Sequence, residues 1–82
     1  MTPIESIYEI ESMYQDIREY LRSKDVLVVK KARKKYEQLV DRFFMENATF
    51  VKPEQRRECL RDYEYFLKLM ASARDHYYTD NG

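Results

Sequence analysis

Residues 26–36 read Val26-Leu27-Val28-Val29-Lys30-Lys31-Ala32-Arg33-Lys34-Lys35-Tyr36, and how they fold decides the architecture. Taken alone, Val26 to Val29 favour a strand. A strand needs a second strand beside it, and the rest of the sequence offers none. Val29, Ala32, Tyr36, Leu39 and Phe43 recur at alternating spacings of three and four, with Val40 beside them. That spacing draws one apolar stripe along a helix, whereas on a strand it would scatter over both faces. The period overrules the local propensity, and a helix is expected over 26–46.

The same period extends in both directions. Ile7, Ile10, Tyr14, Ile17 and Leu21 form a stripe before it, in a helix expected over 3–23. Thr2 can cap that helix, Pro3 suits its first turn and Glu5 completes a capping box. Ser23 or Asp25 caps the next helix. Asn47 can end the second helix in a left-handed conformation, and Pro53 restarts the chain. Cys59, Tyr63, Phe66, Met70, Ala73 and Tyr77 form the third stripe, thickened by Leu60 and Leu67, in a helix expected over 53–78. Residues 79–82 are expected to fray. Short joints make neighbouring helices antiparallel. The expected fold is all-α, a three-helix antiparallel bundle in one domain over 1–82. Dimerisation, with the first helix shared between two chains, stays open as a way of completing it.

Composition agrees with long helices. The 82 residues include one glycine and two prolines, too few turn formers for a β-rich chain. Charged residues make up 37% and hydrophobic ones 44%, a mixture that suits amphipathic helices rather than disorder. A chain this short rarely gains more than about 3–5 kcal/mol from its core alone, so association is a serious option from the outset. The single cysteine, Cys59, excludes an internal disulfide. No segment has the length of a membrane span or the order of a signal peptide. The expected location is the cytoplasm.

Catalysis is not expected. His76 is the only histidine, and helical rise would put it roughly 25 Å from Cys59 on one helix. A nucleophile and its base need hydrogen-bond contact. Zinc prefers four Cys or His ligands, and a di-iron bundle needs Glu-x-x-His pairs. Neither set is present, nor is a glycine-rich phosphate loop. No catalytic residue, metal or cofactor is assigned.

Two features point to binding. The first is the basic run Lys30, Lys31, Arg33, Lys34 and Lys35, in the half of the second helix where the dipole disfavours cations. Residues 1–24 hold five acids against three bases, and residues 25–46 hold six bases against four acids. The run reads as a solvated ridge paired with Glu9, Glu11 and Asp16, or as a dock for an acidic protein segment. Zero net charge weighs against nucleic acid, which takes several spread cationic contacts. The second feature is a surplus of aromatic and Met surface, with eight tyrosines and four phenylalanines. Tyr8, Met13 and Tyr20 lie off the first stripe, and Phe44, Phe50 and Val51 gather at the corner between the second and third helices. Tyr and Met are favoured at interfaces, so these are candidate contacts for a protein partner or a second copy.

In length, and in its opening Met1-Thr2-Pro3-Ile4-Glu5-Ser6-Ile7-Tyr8, the chain resembles the cytoplasmic antiholins of T-even phages. The resemblance implies a lysis-inhibition regulator in the host cytoplasm. Such a regulator would bind the cytoplasmic N-terminal segment of a holin and delay lysis. It carries over no functional residue. Two other readings stand beside it: a nucleic-acid-binding accessory protein using the Lys30–Lys35 ridge, and a structural coiled-coil homo-oligomer.

Overall fold

The computed structural model describes residues 2–81. Thr2 is extended, and its hydroxyl accepts from the Glu5 N–H at 3.1 Å. That cap opens α1, Pro3–Leu21. The helix closes two residues before the expected Ser23, where Arg22 and Ser23 donate back to Glu19 and Tyr20 at 3.1 and 3.2 Å. Asp25 caps α2, Val26–Glu46, taking the Leu27 and Val28 N–H groups at 3.0 and 3.4 Å. Val26 to Val29 are therefore helical.

The expected three-helix bundle is corrected at the third segment. It divides into α3, Glu54–Arg61, and α4, Tyr63–Asn81, so the chain has four helices. Asp62 is extended, with φ −135° and ψ 107°. Its carboxylate takes the N–H groups of Glu64 and Tyr65 at 3.0 and 3.3 Å, capping a new helix in the middle of an apolar stripe. In an unbroken helix the Cys59 carbonyl would accept from the Tyr63 N–H. Here the Tyr36 hydroxyl, reaching across from α2, donates to that carbonyl instead. The break is thus compensated on both sides. It also brings Leu69, which lies off the sequence stripe, into the core beside Phe66, Met70 and Ala73. The helix runs on through residues 79–81 instead of fraying there, while Gly82 lies outside the described residues.

α1 packs along α2 and against α4, and α3 bridges α2 and α4. One cluster joins all four helices, with Ile7, Ile10, Val40, Phe43, Phe66 and Met70 fully buried. Full burial of such a side chain contributes about 1.5–3 kcal/mol. The first helix buries its stripe within its own chain, which corrects the reading in which it was shared with a second chain. Tyr36 stands at the centre of an aromatic group, its ring 4.7 Å from Tyr63, 5.5 Å from Phe66 and 6.0 Å from Tyr14. Part of the aromatic surplus is therefore core.

Asn47 does not take the left-handed conformation expected of it. Its φ is −126°, and it is 1% exposed. Its Nδ2 donates to the Phe43 carbonyl at 2.8 Å, and its Oδ1 accepts from the Tyr77 hydroxyl at 2.6 Å. Its own carbonyl takes the Phe50 and Val51 N–H groups at 2.9 and 3.1 Å. One buried amide thus ties the end of α2 to the following turn and to α4.

Candidate protein-binding surface

A helix whose apolar stripe takes one or two residues per turn leaves its flanks free, and two packed helices leave a furrow between those flanks. Along the outer side of α1 and α2 this furrow holds two adjoining hollows of about 420 and 290 Å³. Asp16, Ile17 and Lys35 line both, so the two form one groove. Its floor is apolar: Ile17, Ala32 and Leu39 are buried, and Val28 is half-buried. Met13 and Tyr20 stand on the α1 rim, 43% and 56% exposed. Lys31 and Lys35 stand exposed on the α2 rim. Val26 and Leu27, both exposed, extend the apolar surface at the start of α2.

Where the two hollows lie, charge divides by helix, with Asp16 on α1 and Lys31 and Lys35 on α2. Glu9 also lies on the α1 side, and Arg42 on the α2 side. Arg42 joins Glu9 at 2.9 Å and Glu46 at 3.2 Å, closing one end of the furrow. The Ser6 hydroxyl donates to Glu46 and, with Arg42, holds that carboxyl below its ordinary value. Glu11 points the other way, to Arg74 on α4 at 2.9 Å. Burial raises the Glu11 carboxyl, and the Arg74 guanidinium pulls it back.

The basic run is not one surface. Consecutive residues turn by about 100° on a helix, so five cations in six positions surround it. Lys31 and Lys35 line the groove, while Lys30, Arg33 and Lys34 are exposed outside it. Among the described residues none of the five makes an ion pair, so the expected pairing with Glu9, Glu11 and Asp16 is not formed. The first two of those acids belong to Arg42 and Arg74.

The other candidate residues are more occupied than their sequence positions suggest. The Tyr8 hydroxyl lies 3.1 Å from that of Tyr78, and the Arg74 guanidinium sits 5.3 Å from the centre of the Tyr8 ring. Tyr8 is thus part of a latch between α1 and α4. Phe44 packs edge-on against Phe43, and Phe50 lies 5.2 Å from the His76 ring. Both rest half-buried on the core, and Val51 is buried. Phe44 and Val51 leave a shallow hollow with Met45, Ala48, Pro53 and Arg56, of about 340 Å³. Nothing in the sequence marks the groove residues Ile17, Val28, Ala32 and Leu39 as contacts. Their spacing on two helices was legible, but only packing shows that the stripes leave an open seam.

The chain is similar over residues 1–74 to the phycobilisome protein family, a globin-like helical family of light-harvesting components. That span covers most of the chain, and the chain belongs to this family. No curated protein and no solved structure matches it. Membership overturns the antiholin resemblance, and with it the holin segment as partner, lysis inhibition and a bacteriophage setting. It equally overturns the nucleic-acid and coiled-coil homo-oligomer readings. Phycobilisome proteins are structural components, and the chain is not an enzyme. They assemble with one another, which makes protein–protein association the general mode of action. Among the described residues no helix is long and apolar enough to cross a membrane.

The family implies a bilin pigment held through a cysteine thioether. The residues here do not fit one. Cys59, the sole cysteine, is 0% exposed within the core cluster, and burial pushes its thiol up to about 12. Attachment needs a reachable thiolate, and reaching this sulfur would require opening the packing of α3 on α2 and α4.

Proposed function

We propose that the chain is a structural, pigment-free member of a light-harvesting assembly that acts through protein–protein contact, including association with its own kind. The match over residues 1–74 carries this reading. It spans every buried core residue among those described, the last being Ala73. The α1–α2 groove supports it, as an apolar floor with a polar rim has the anatomy of an interface. Of the residues first considered for contact, Met13, Tyr20, Lys31 and Lys35 are the working set. Tyr8, Phe44 and Phe50 serve mainly to hold helices together, and Lys30, Arg33 and Lys34 keep the chain hydrated. A cytoplasmic site of action fits the free Cys59 thiol.

The test is to pass the purified chain over a sizing column with isolated phycobilisome proteins, reading mass by light scattering and absorbance together. Co-elution with the pigmented proteins is the expected result. The chain's own peak should stay colourless after incubation with free bilin. Absence of any mass gain well above micromolar concentration would overturn the assembly reading, and a covalently coloured chain would overturn the pigment-free part.

A further inference from the structure

We propose that the α1–α2 groove is closed by the same groove of a second copy, about a two-fold axis parallel to the two helices. Each α1 then lies over the α2 of its partner. The inference rests on the reading of the chain as a self-associating assembly component and specifies the surface that does it.

The charge layout selects this arrangement. An isologous contact brings one patch onto itself, so the patch must be self-complementary. Two in-plane two-fold axes are available to a face made of two antiparallel helices. An axis across the helices sets α1 on α1 and α2 on α2. It turns the acidic edge toward acid and the lysine edge toward lysine, an arrangement that opposes association. An axis along the helices exchanges the edges while keeping each residue's height in the groove. Asp16 and Lys35 line the same hollows, and so share one height. The exchange therefore places Asp16 of each copy over Lys35 of the other, twice per dimer. Among the described residues Asp16, Lys31 and Lys35 make no ion pair, so these charges are available. The same exchange lowers Met13 and Tyr20 onto the apolar floor of the partner copy. Those two rim residues are the ones a dry contact would cover, and Tyr and Met are enriched in such contacts.

Two single substitutions test the geometry, since each chain carries both halves of the contact. D16K sets lysine over lysine at this contact, and K35E sets acid over acid. Both positions are exposed, and far-UV circular dichroism checks that each variant stays helical. The wild-type chain should sediment as a dimer that weakens with added salt. Each variant alone should dissociate, with a dissociation constant raised roughly tenfold or more. An equimolar mixture of the two should regain the dimer, because both edge contacts of the mixed pair then join opposite charges. A wild-type chain that stays a monomer at millimolar concentration overturns the proposal. So do variants that dimerise like wild type, and a mixture that stays monomeric. A monomer that still co-elutes with phycobilisome proteins would remove the two-fold contact and leave the assembly reading intact. A dimer that ignores those proteins would do the reverse.

Discussion

Replacing Tyr36 with Phe removes one oxygen and tests why the third helical segment is broken. The ring stays, with its edge contacts to Tyr63 and Phe66. What goes is the donor to the Cys59 carbonyl. That carbonyl belongs to a fully buried residue, and among the described residues no bond reaches it from Tyr63. A buried acceptor left without a donor costs about 1–3 kcal/mol. Taking about 2 kcal/mol, and a slope of roughly 4–8 °C per kcal/mol for a domain of this size, Tm should fall by about 8–16 °C. Tyr14→Phe is the control. Tyr14 is nearly as buried, but its hydroxyl has no hydrogen-bond partner among the described residues, so its loss should shift Tm by under about 3 °C. Thermal unfolding followed at a helical wavelength measures both. Amide exchange at Tyr63 gives a second readout. If the variant heals by running α3 into α4, that amide gains protection as it takes the freed carbonyl. A Tyr36→Phe protein as stable as its Tyr14→Phe counterpart, with Tyr63 exchange unchanged, would refute the argument that the Tyr36 bond compensates the break.

Other outcomes follow from the same contacts. Asn47→Leu strips the donor to Phe43 and the acceptor for Tyr77, and denaturant titration should show a loss of about 2–4 kcal/mol. Alkaline stability should fall early. A thiol held up to about 12 when folded, against about 8.5 unfolded, binds its proton more tightly in the native state. Its contribution is complete below the unfolded value and is lost as pH rises from there toward 12, so Cys59→Ala should flatten that part of the stability profile. Burial raises the Tyr36 phenol in the same direction, which steepens the fall above pH ~10. Arg74→Met leaves Glu11 half-buried and unpaired, and about 1–2 kcal/mol should be lost near neutral pH, since this pair is partly screened. That loss should shrink once acid protonates Glu11, as equilibrium unfolding at low pH would show.

Helix positions were legible because a three-four spacing needs no tertiary information. Ile7 to Leu21 and Val29 to Phe43 define their inward faces by chain geometry alone. The break at Asp62 was not legible, since Cys59, Tyr63, Phe66 and Met70 keep helical spacing straight through it. Asp62 is an ordinary polar residue on such a helix until a hydroxyl from α2 takes the carbonyl that its own turn would have used. Asn47 was misread for a related reason. Its cap preference is local, but its amide is held by Tyr77, thirty residues away.

The surface shows the same division. Sequence could count the cations of Lys30–Lys35 and the aromatic surplus, but a run along the chain is a ring around a helix. Only the packing of α1 on α2 decides that Lys31 and Lys35 share a groove with Met13, Asp16 and Tyr20, while Tyr8 and Phe50 are taken up by other helices. Periodicity, capping residues and scarce glycine determined by themselves that this chain is helical, where its first two helices lie and which faces they bury. Tertiary structure alone decided where the third segment breaks, which polar groups are satisfied at a distance and which apolar rim remains open. Those outcomes depend on groups far apart in sequence meeting in space, and no local spacing encodes that.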